Sequence, residues 1–275
     1  MRSNGQVGEG NLSYCSLSYS DVGGIARACR DYREDVPIPL TLGVPHRPDP
    51  YALVQELLLP ICSDAAELHA APRGAGYGPP VVRASTLLAT AESENLGRVV
   101  VRLDIDPDRL RDDPTCGYEA VRFEVDAPAE HLADALALQL PSPLVVFPVF
   151  DAIDVAETAE AVALAHRTLG IGVGDTPRRI ADVLAVVSHS DVGLVARAET
   201  GDEVLAILAA TVASLRGDDI VGALAAPNVA ALRALIPEAA EAVRDVLFGV
   251  EVPDAAGARA RLVEVGLIAD DSAAT

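Results

Sequence analysis

LVVFPVFDAIDVAETAEAVALAHRTL, residues Leu144–Leu169, decides the fold class. Leu144–Phe150 is a short, almost wholly apolar run rich in Val and Phe, the composition of a strand buried on both faces. After the acidic DAID, Val155–Leu169 is dominated by Ala, Glu and Leu and reads as a helix. The same order surrounds it. Tyr118–Val125 (YEAVRFEV) precedes helical Pro128–Leu138, Ile171–Val173 precedes Pro177–Ser188, and Val192–Ala198 precedes Asp202–Leu215. Four strand–helix units in succession specify parallel strands joined by helical crossovers.

The pattern extends less regularly toward the amino terminus. Strands are expected at Tyr14–Ser18, Ile38–Gly43, Val81–Ser85 and Val99–Ile105, and helices at Gly23–Tyr32 and Tyr51–Leu59, while Ala71–Pro80 is a loop. Eight strands predict a distorted (β/α)8 TIM-barrel-like fold. The obstacle is Asp106–Gly117 (DPDRLRDDPTCG), with room for one helical turn where a parallel crossover generally needs roughly a dozen residues or more. A hairpin there gives the alternative, an open α/β sheet or a two-lobed α/β fold. Residues 1–215 are expected to form the barrel-like domain. Residues 216–275 are expected to form a C-terminal helical extension packed on it, with helices at Asp218–Leu224, Val229–Leu235, Pro237–Val246 and Ala255–Val265.

The 275 residues include no lysine; arginine supplies all 21 basic side chains against 41 acidic ones, for a formal net charge of −20. Lysine Schiff bases, and with them pyridoxal phosphate, are excluded, as is a P-loop lysine. The acidic surface suits a halophilic, cytoplasmic protein, with a GC-rich codon bias as the rival explanation. Nucleic acid and anionic membranes, which require basic patches, are not expected partners. Cys15, Cys29, Cys62 and Cys116 are widely spaced and read as buried free thiols, and His46, His69, His131, His166 and His189 form no zinc pattern. No signal-peptide-like run opens the chain, and Ala269–Thr275 reads as a frayed tail.

One placement recurs on three predicted strands. Arg102 is followed two residues later by Asp104, Arg122 by Glu124 and Arg197 by Glu199, and Arg83 stands alike without an acid. Side chains two apart share a face of a strand. In a closed barrel these faces look into the lumen, with the acids at the C-terminal mouth. Arg102, Arg122, Arg197 and Arg83 are then candidate anion ligands. Glu124, Glu199 and Asp104 are candidate catalytic bases or ligands of Mg²⁺. On a half-exposed hairpin the same pairs are cross-strand partners, and in a barrel they can also form a self-satisfied ion network.

Gly170–Arg179 (GIGVGDTPRR) places glycines at a strand end, Asp175 or Thr176 as N-cap, and Arg178 as a candidate anion ligand, although its spacing is not the GxGxxG of NAD sites. His46 in GVPHRPDP, and Asp151 and Asp154 after Phe150, are further candidates for the mouth. Two functions fit these residues. One is an enzyme or degenerate enzyme acting on a small carboxylated or phosphorylated metabolite by proton transfer, of lyase or isomerase type. The other is a non-catalytic structural or regulatory subunit that self-associates or docks a partner through its C-terminal helices.

Overall fold

Strand and helix alternate along a computed structural model that describes residues 51–90, 95–112, 117–149, 154–172 and 174–269. All of these belong to the unit Pro48–Thr275. The strands are β1 (Leu58–Cys62), β2 (Val81–Arg83), β3 (Asn95–Arg102), β4 (Gly117–Ala127), β5 (Leu144–Pro148), β6 (Thr168–Ile171), β7 (Leu194–Arg197) and β8 (Leu247–Val252). Each pairs in parallel with the next, and β8 pairs with β1 to close an eight-stranded barrel. The crossovers carry α1 (Ala65–Ala70), α2 (Ala84–Ala89), α3 (Asp108–Asp112), α4 (Leu132–Ala137), α5 (Val155–Leu164) and α6 (Pro177–Val187). Between β7 and β8 run α7 (Gly201–Arg216), α8 (Ile220–Ala225), α9 (Val229–Arg233) and α10 (Pro237–Val246), and α11 (Ala255–Glu264) follows β8. The chain therefore has the expected (β/α)8 TIM-barrel-like architecture, and the open-sheet and two-lobed alternatives are set aside.

The doubtful link between β3 and β4 is a true crossover: α3 provides its single helical turn, and Arg102 pairs in parallel register with Glu124. The hairpin reading is thus overturned. Two strands fall where none was expected. Tyr51–Leu59 is not one helix; a 3-10 turn at Ala52–Val54 ends before Glu56, whose φ of 49° breaks helical continuity, and the apolar run after it becomes β1. In the stretch from 216 on, expected to be largely helical, LFGVEV forms β8. Gly249 and Glu251 hid it, because they interrupt the apolar run that a strand buried on both faces usually has. β6 also begins earlier than expected, at Thr168. The strands expected at Tyr14–Ser18 and Ile38–Gly43, the helix at Gly23–Tyr32, Cys15, Cys29, Cys116, His46, Asp151 and residues 270–275 lie outside the described residues.

Alternation along the strands divides the core in two. Val99, Val101, Phe123, Val146, Leu169, Leu194 and Val250 face outward and are covered by the helical layer. Each fully buried Leu or Val contributes about 1.5–3 kcal/mol, so aliphatic side chains stabilise this interface without Trp. Helix starts are capped as the sequence suggests: the Thr176 hydroxyl accepts from Arg179 N–H before Pro177, and Asp154 accepts from Ala156 N–H. Cys62 is a buried free thiol. Among the described residues no helix is long and apolar enough to cross a membrane.

Candidate functional site: a charged lumen above an apolar floor

Register and strand tilt stack the inward side chains in tiers. Leu59, Val100, Val145 and Val195, from the odd-numbered strands, make an apolar floor. Val81, Glu124, Gly170 and Glu251, from the even-numbered strands, lie above it, and Ile61, Arg102, Phe147 and Arg197 come next toward the C-terminal mouth. A register shift between Val99 and Val100 brings both Val121 and Arg122 of β4 toward the interior.

Glu251 is the hub. Its Oε2 accepts from Arg197 Nε at 3.0 Å and from Arg102 Nη2 in a close ion pair. Arg197 Nη1 donates to Asp126 at 2.6 Å, and its guanidinium carbon lies over the Phe147 ring, 3.6 Å from the centroid. Phe147 can occupy that place because Gly170 has no Cβ; one there would stand 2.3 Å from the ring. Arg122 Nε donates to Glu124 Oε1 at 3.1 Å, and Arg102 Nη2 reaches within 4.0 Å of Glu124 Oε2. Glu124 and Glu251 are both fully buried.

Two carboxylates so placed cannot both be ionised at low cost. Burial, then the charge of Glu251 and the hydrogen bond with it, raise the Glu124 carboxyl well above its ordinary value, outweighing Arg122 and Arg102. Burial also opposes ionisation of Glu251, but the hydrogen bond from Glu124 and the charges of Arg102 and Arg197 prevail and lower it. The pair therefore titrates as a unit, with Glu124 the carboxyl pushed toward its protonated form and Glu251 the one pushed toward its carboxylate. Arg197 is kept charged because Glu251 and Asp126 outweigh its burial.

Several polar atoms of this cluster remain without an acceptor or donor: Arg102 Nε, Arg197 Nη2, Arg122 Nη2, Glu124 Oε2 and Glu251 Oε1. Arg122 Nη2 stands 3.1 Å from Glu124 Oε1 but is angled so that the contact is an ion pair without a hydrogen bond. The hydrogen bond between Glu124 and Glu251 accounts for the two carboxyl oxygens. It does not account for the guanidinium N–H groups, and buried donors are rarely left unpaired.

The arginines singled out in the sequence, Arg102, Arg122 and Arg197, thus meet in one lumen with Glu124. The other four candidates do not. Asp104 has turned to the α2 start, accepting from the Ser85 amide at 2.9 Å and from its hydroxyl. Glu199 is exposed beyond β7, and Arg83 is exposed at the end of β2. Arg178 lies on α6, 81% exposed, paired with Asp182. The three acids expected to serve Mg²⁺ are therefore apart, and among the described residues no cluster of three His, Cys, Asp or Glu is placed to hold a metal ion. Sequence reasoning missed Glu251 and Asp126. Asp126 continues the Arg122, Glu124 alternation by two residues, a signal that was available; Glu251 required recognition of β8.

Among the described residues, one backbone N–H in each of several loops at the mouth is occupied by an acid of the chain itself. Ser63 N–H donates to Glu67 at 2.7 Å after β1, and Gly172 N–H donates to Asp175 at 2.8 Å after β6. Glu199 N–H donates to Glu203 at 2.7 Å after β7, and Gly257 N–H donates to Asp254 at 2.8 Å after β8. Asp106 and Asp154 do the same after β3 and β5. Comparison with protein-family models, curated proteins and solved structures yields no match. A barrel alone does not specify chemistry, so the lumen's geometry carries the functional reading.

Proposed function

We propose that this barrel is an enzyme that binds a small anionic metabolite at its C-terminal mouth and transfers a proton to it, in a reaction of lyase or isomerase type. The observation that carries this reading is the fully buried Glu124, its carboxyl pushed toward protonation by burial and Glu251, beneath Arg102 and Arg197, each of which keeps an N–H group without an acceptor. The guanidiniums hold the anion and Glu124 is the proton source. After transfer, Glu124 and Glu251 are both ionised; the acidic charge of those two and Asp126 then balances Arg102, Arg122 and Arg197. Arg122 stabilises the new Glu124 carboxylate through the hydrogen bond it already makes.

A thermal-shift screen of carboxylated and phosphorylated metabolites identifies the ligand class, since a ligand of the native state raises its melting point. NMR in D₂O then follows exchange as the solvent deuterium that Glu124 delivers to the bound ligand. Binding is expected to be lost in Arg197→Gln and kept in Arg178→Gln, and exchange to be lost in Glu124→Gln. Unchanged exchange in Glu124→Gln would remove that residue from the chemistry.

The second reading, a non-catalytic subunit associating through its C-terminal helices, draws on Ile236, which is 63% exposed at the start of α10. Against it, the same segment supplies β8 and α11 to the barrel itself. Sedimentation equilibrium tests it: a dimer that Ile236→Ser converts to a monomer would favour this reading.

A further inference from the structure

We infer that the ligand of the lumen carries a single carboxylate and no phosphate group, and that Arg102 Nε and Arg197 Nη2 are its two donors. This rests on the reading of the lumen as a ligand site and narrows it to one chemical class.

The first argument comes from the mouth. In barrels of this architecture a phosphate is bound by backbone N–H groups of the last βα loops and by a helix N-terminus. Here the amide at the end of β7 is taken by Glu203 and the first-turn amide after β8 by Asp254. The amide after β6 is taken by Asp175, and Arg178, the cation expected beside it, lies on the helix surface with Asp182. A phosphate at any of these loops meets a carboxylate where it needs a donor. The rim repels dianions.

The second argument comes from the lumen. Two N–H groups, one from each of two guanidiniums that converge on Glu251, match the two oxygens of one carboxylate. The charge count agrees. Arg102, Arg122 and Arg197 face Glu251, Asp126 and a Glu124 whose carboxyl is pushed toward its neutral form, so the buried cluster carries an excess of positive charge. A monoanion neutralises the cluster. A phosphate dianion or a dicarboxylate would leave it negative in a low-dielectric site, where an unbalanced charge is costly.

Titration calorimetry at constant ionic strength decides the matter, with acetate, lactate, pyruvate and benzoate as monocarboxylates, succinate as a dicarboxylate, and inorganic phosphate and glycerol phosphate as phosphate probes. The best monocarboxylate is expected to bind at least about tenfold more tightly than any dianion, with the heat lost in Arg197→Gln and retained in Arg178→Gln. If glycerol phosphate or inorganic phosphate binds as tightly as the best monocarboxylate, and that binding is lost in Arg197→Gln, this inference falls while the lumen remains a ligand site. If no probe gives binding sensitive to Arg197→Gln, the inference and the reading beneath it fall together.

Discussion

Arg102 on β3 and Glu251 on β8, 149 residues apart in sequence, meet as an ion pair inside the barrel. Arg197 joins the same carboxylate oxygen from β7. One acid thereby ties together three strands of the wall, and its burial makes it costly to remove.

Glu251→Gln is expected to destabilise the protein by about 3–5 kcal/mol, because it leaves buried guanidiniums without their counter-charge. Urea denaturation measures this. A double variant that also carries Arg102→Gln should be less destabilised than the sum of the single changes, since the second change removes one of the orphaned charges. Additive losses would mean that the pair does not act as a unit.

The carboxyl pair makes stability depend on pH in two opposed ways. Glu124 has a folded pKa raised above its ordinary 4.5, so the folded protein keeps a proton that the unfolded chain releases, and stability falls as pH rises from 4.5 toward the folded value. Glu251 is lowered, so its contribution is present above 4.5 and is lost as pH falls through its folded value. Glu124→Gln keeps a neutral side chain at every pH. Relative to wild type it should gain stability by up to about 1.4 kcal/mol per pH unit above 4.5. Denaturation curves at about pH 5, 6 and 7 check it; parallel pH profiles for the two proteins would refute a protonated Glu124.

Gly170→Ala places a methyl group in the face of Phe147 and displaces the ring that supports Arg197. The cost is expected to be about 1–3 kcal/mol from overpacking. Ligand affinity should fall with it, because Arg197 loses the platform that orients it. A loss of stability with unchanged affinity would separate the ring's packing role from any role in binding.

Arg244 on α10 fastens the start of β8, donating to the carbonyl oxygens of Leu247 and Phe248. Burial, and then the charge of Arg122, lower its pKa to about 10, which leaves it charged at neutral pH. Arg244→Met keeps the aliphatic stem but loses those bonds, at about 1–3 kcal/mol per charged hydrogen bond removed. Hydrogen exchange should quicken in β8 ahead of the other strands. Uniform acceleration along the whole barrel would place its effect in global stability alone.

Much of the barrel was legible because periodicity reports burial directly. LVVFP reads as a strand covered on both faces, and four strand–helix units in a row leave little but a parallel sheet with helical crossovers. The pairs Arg102, Arg122 and Glu124 stood out because charges alternating with Val and Phe must share one face. Legibility failed where the lumen itself dictated composition. Gly249 broke the apolar pattern of β8 because Leu59 fills the space beside it, Glu251 because it faces the charged lumen, and Glu56 turned an apparent helix into the approach to β1. Asp104 and Glu199 were misassigned for a related reason. Each follows its strand by two residues, but the chain leaves the sheet before that position, so the alternation that governs Arg102 and Arg197 no longer orients them.

The sequence by itself determined the class of fold, the chemical types at hand and the exclusions: without lysine, every fixed side-chain cation is a guanidinium. Local periodicity and composition carry that information, because they depend on neighbours along the chain. Only the tertiary structure decided which charges meet. Closing the barrel set Arg102, Arg197, Glu124 and Glu251 together in its interior, and burial there pushes the Glu124 carboxyl toward its protonated form. Partners so distant along the chain leave no periodic trace, because their meeting depends on the shear and register of the whole sheet.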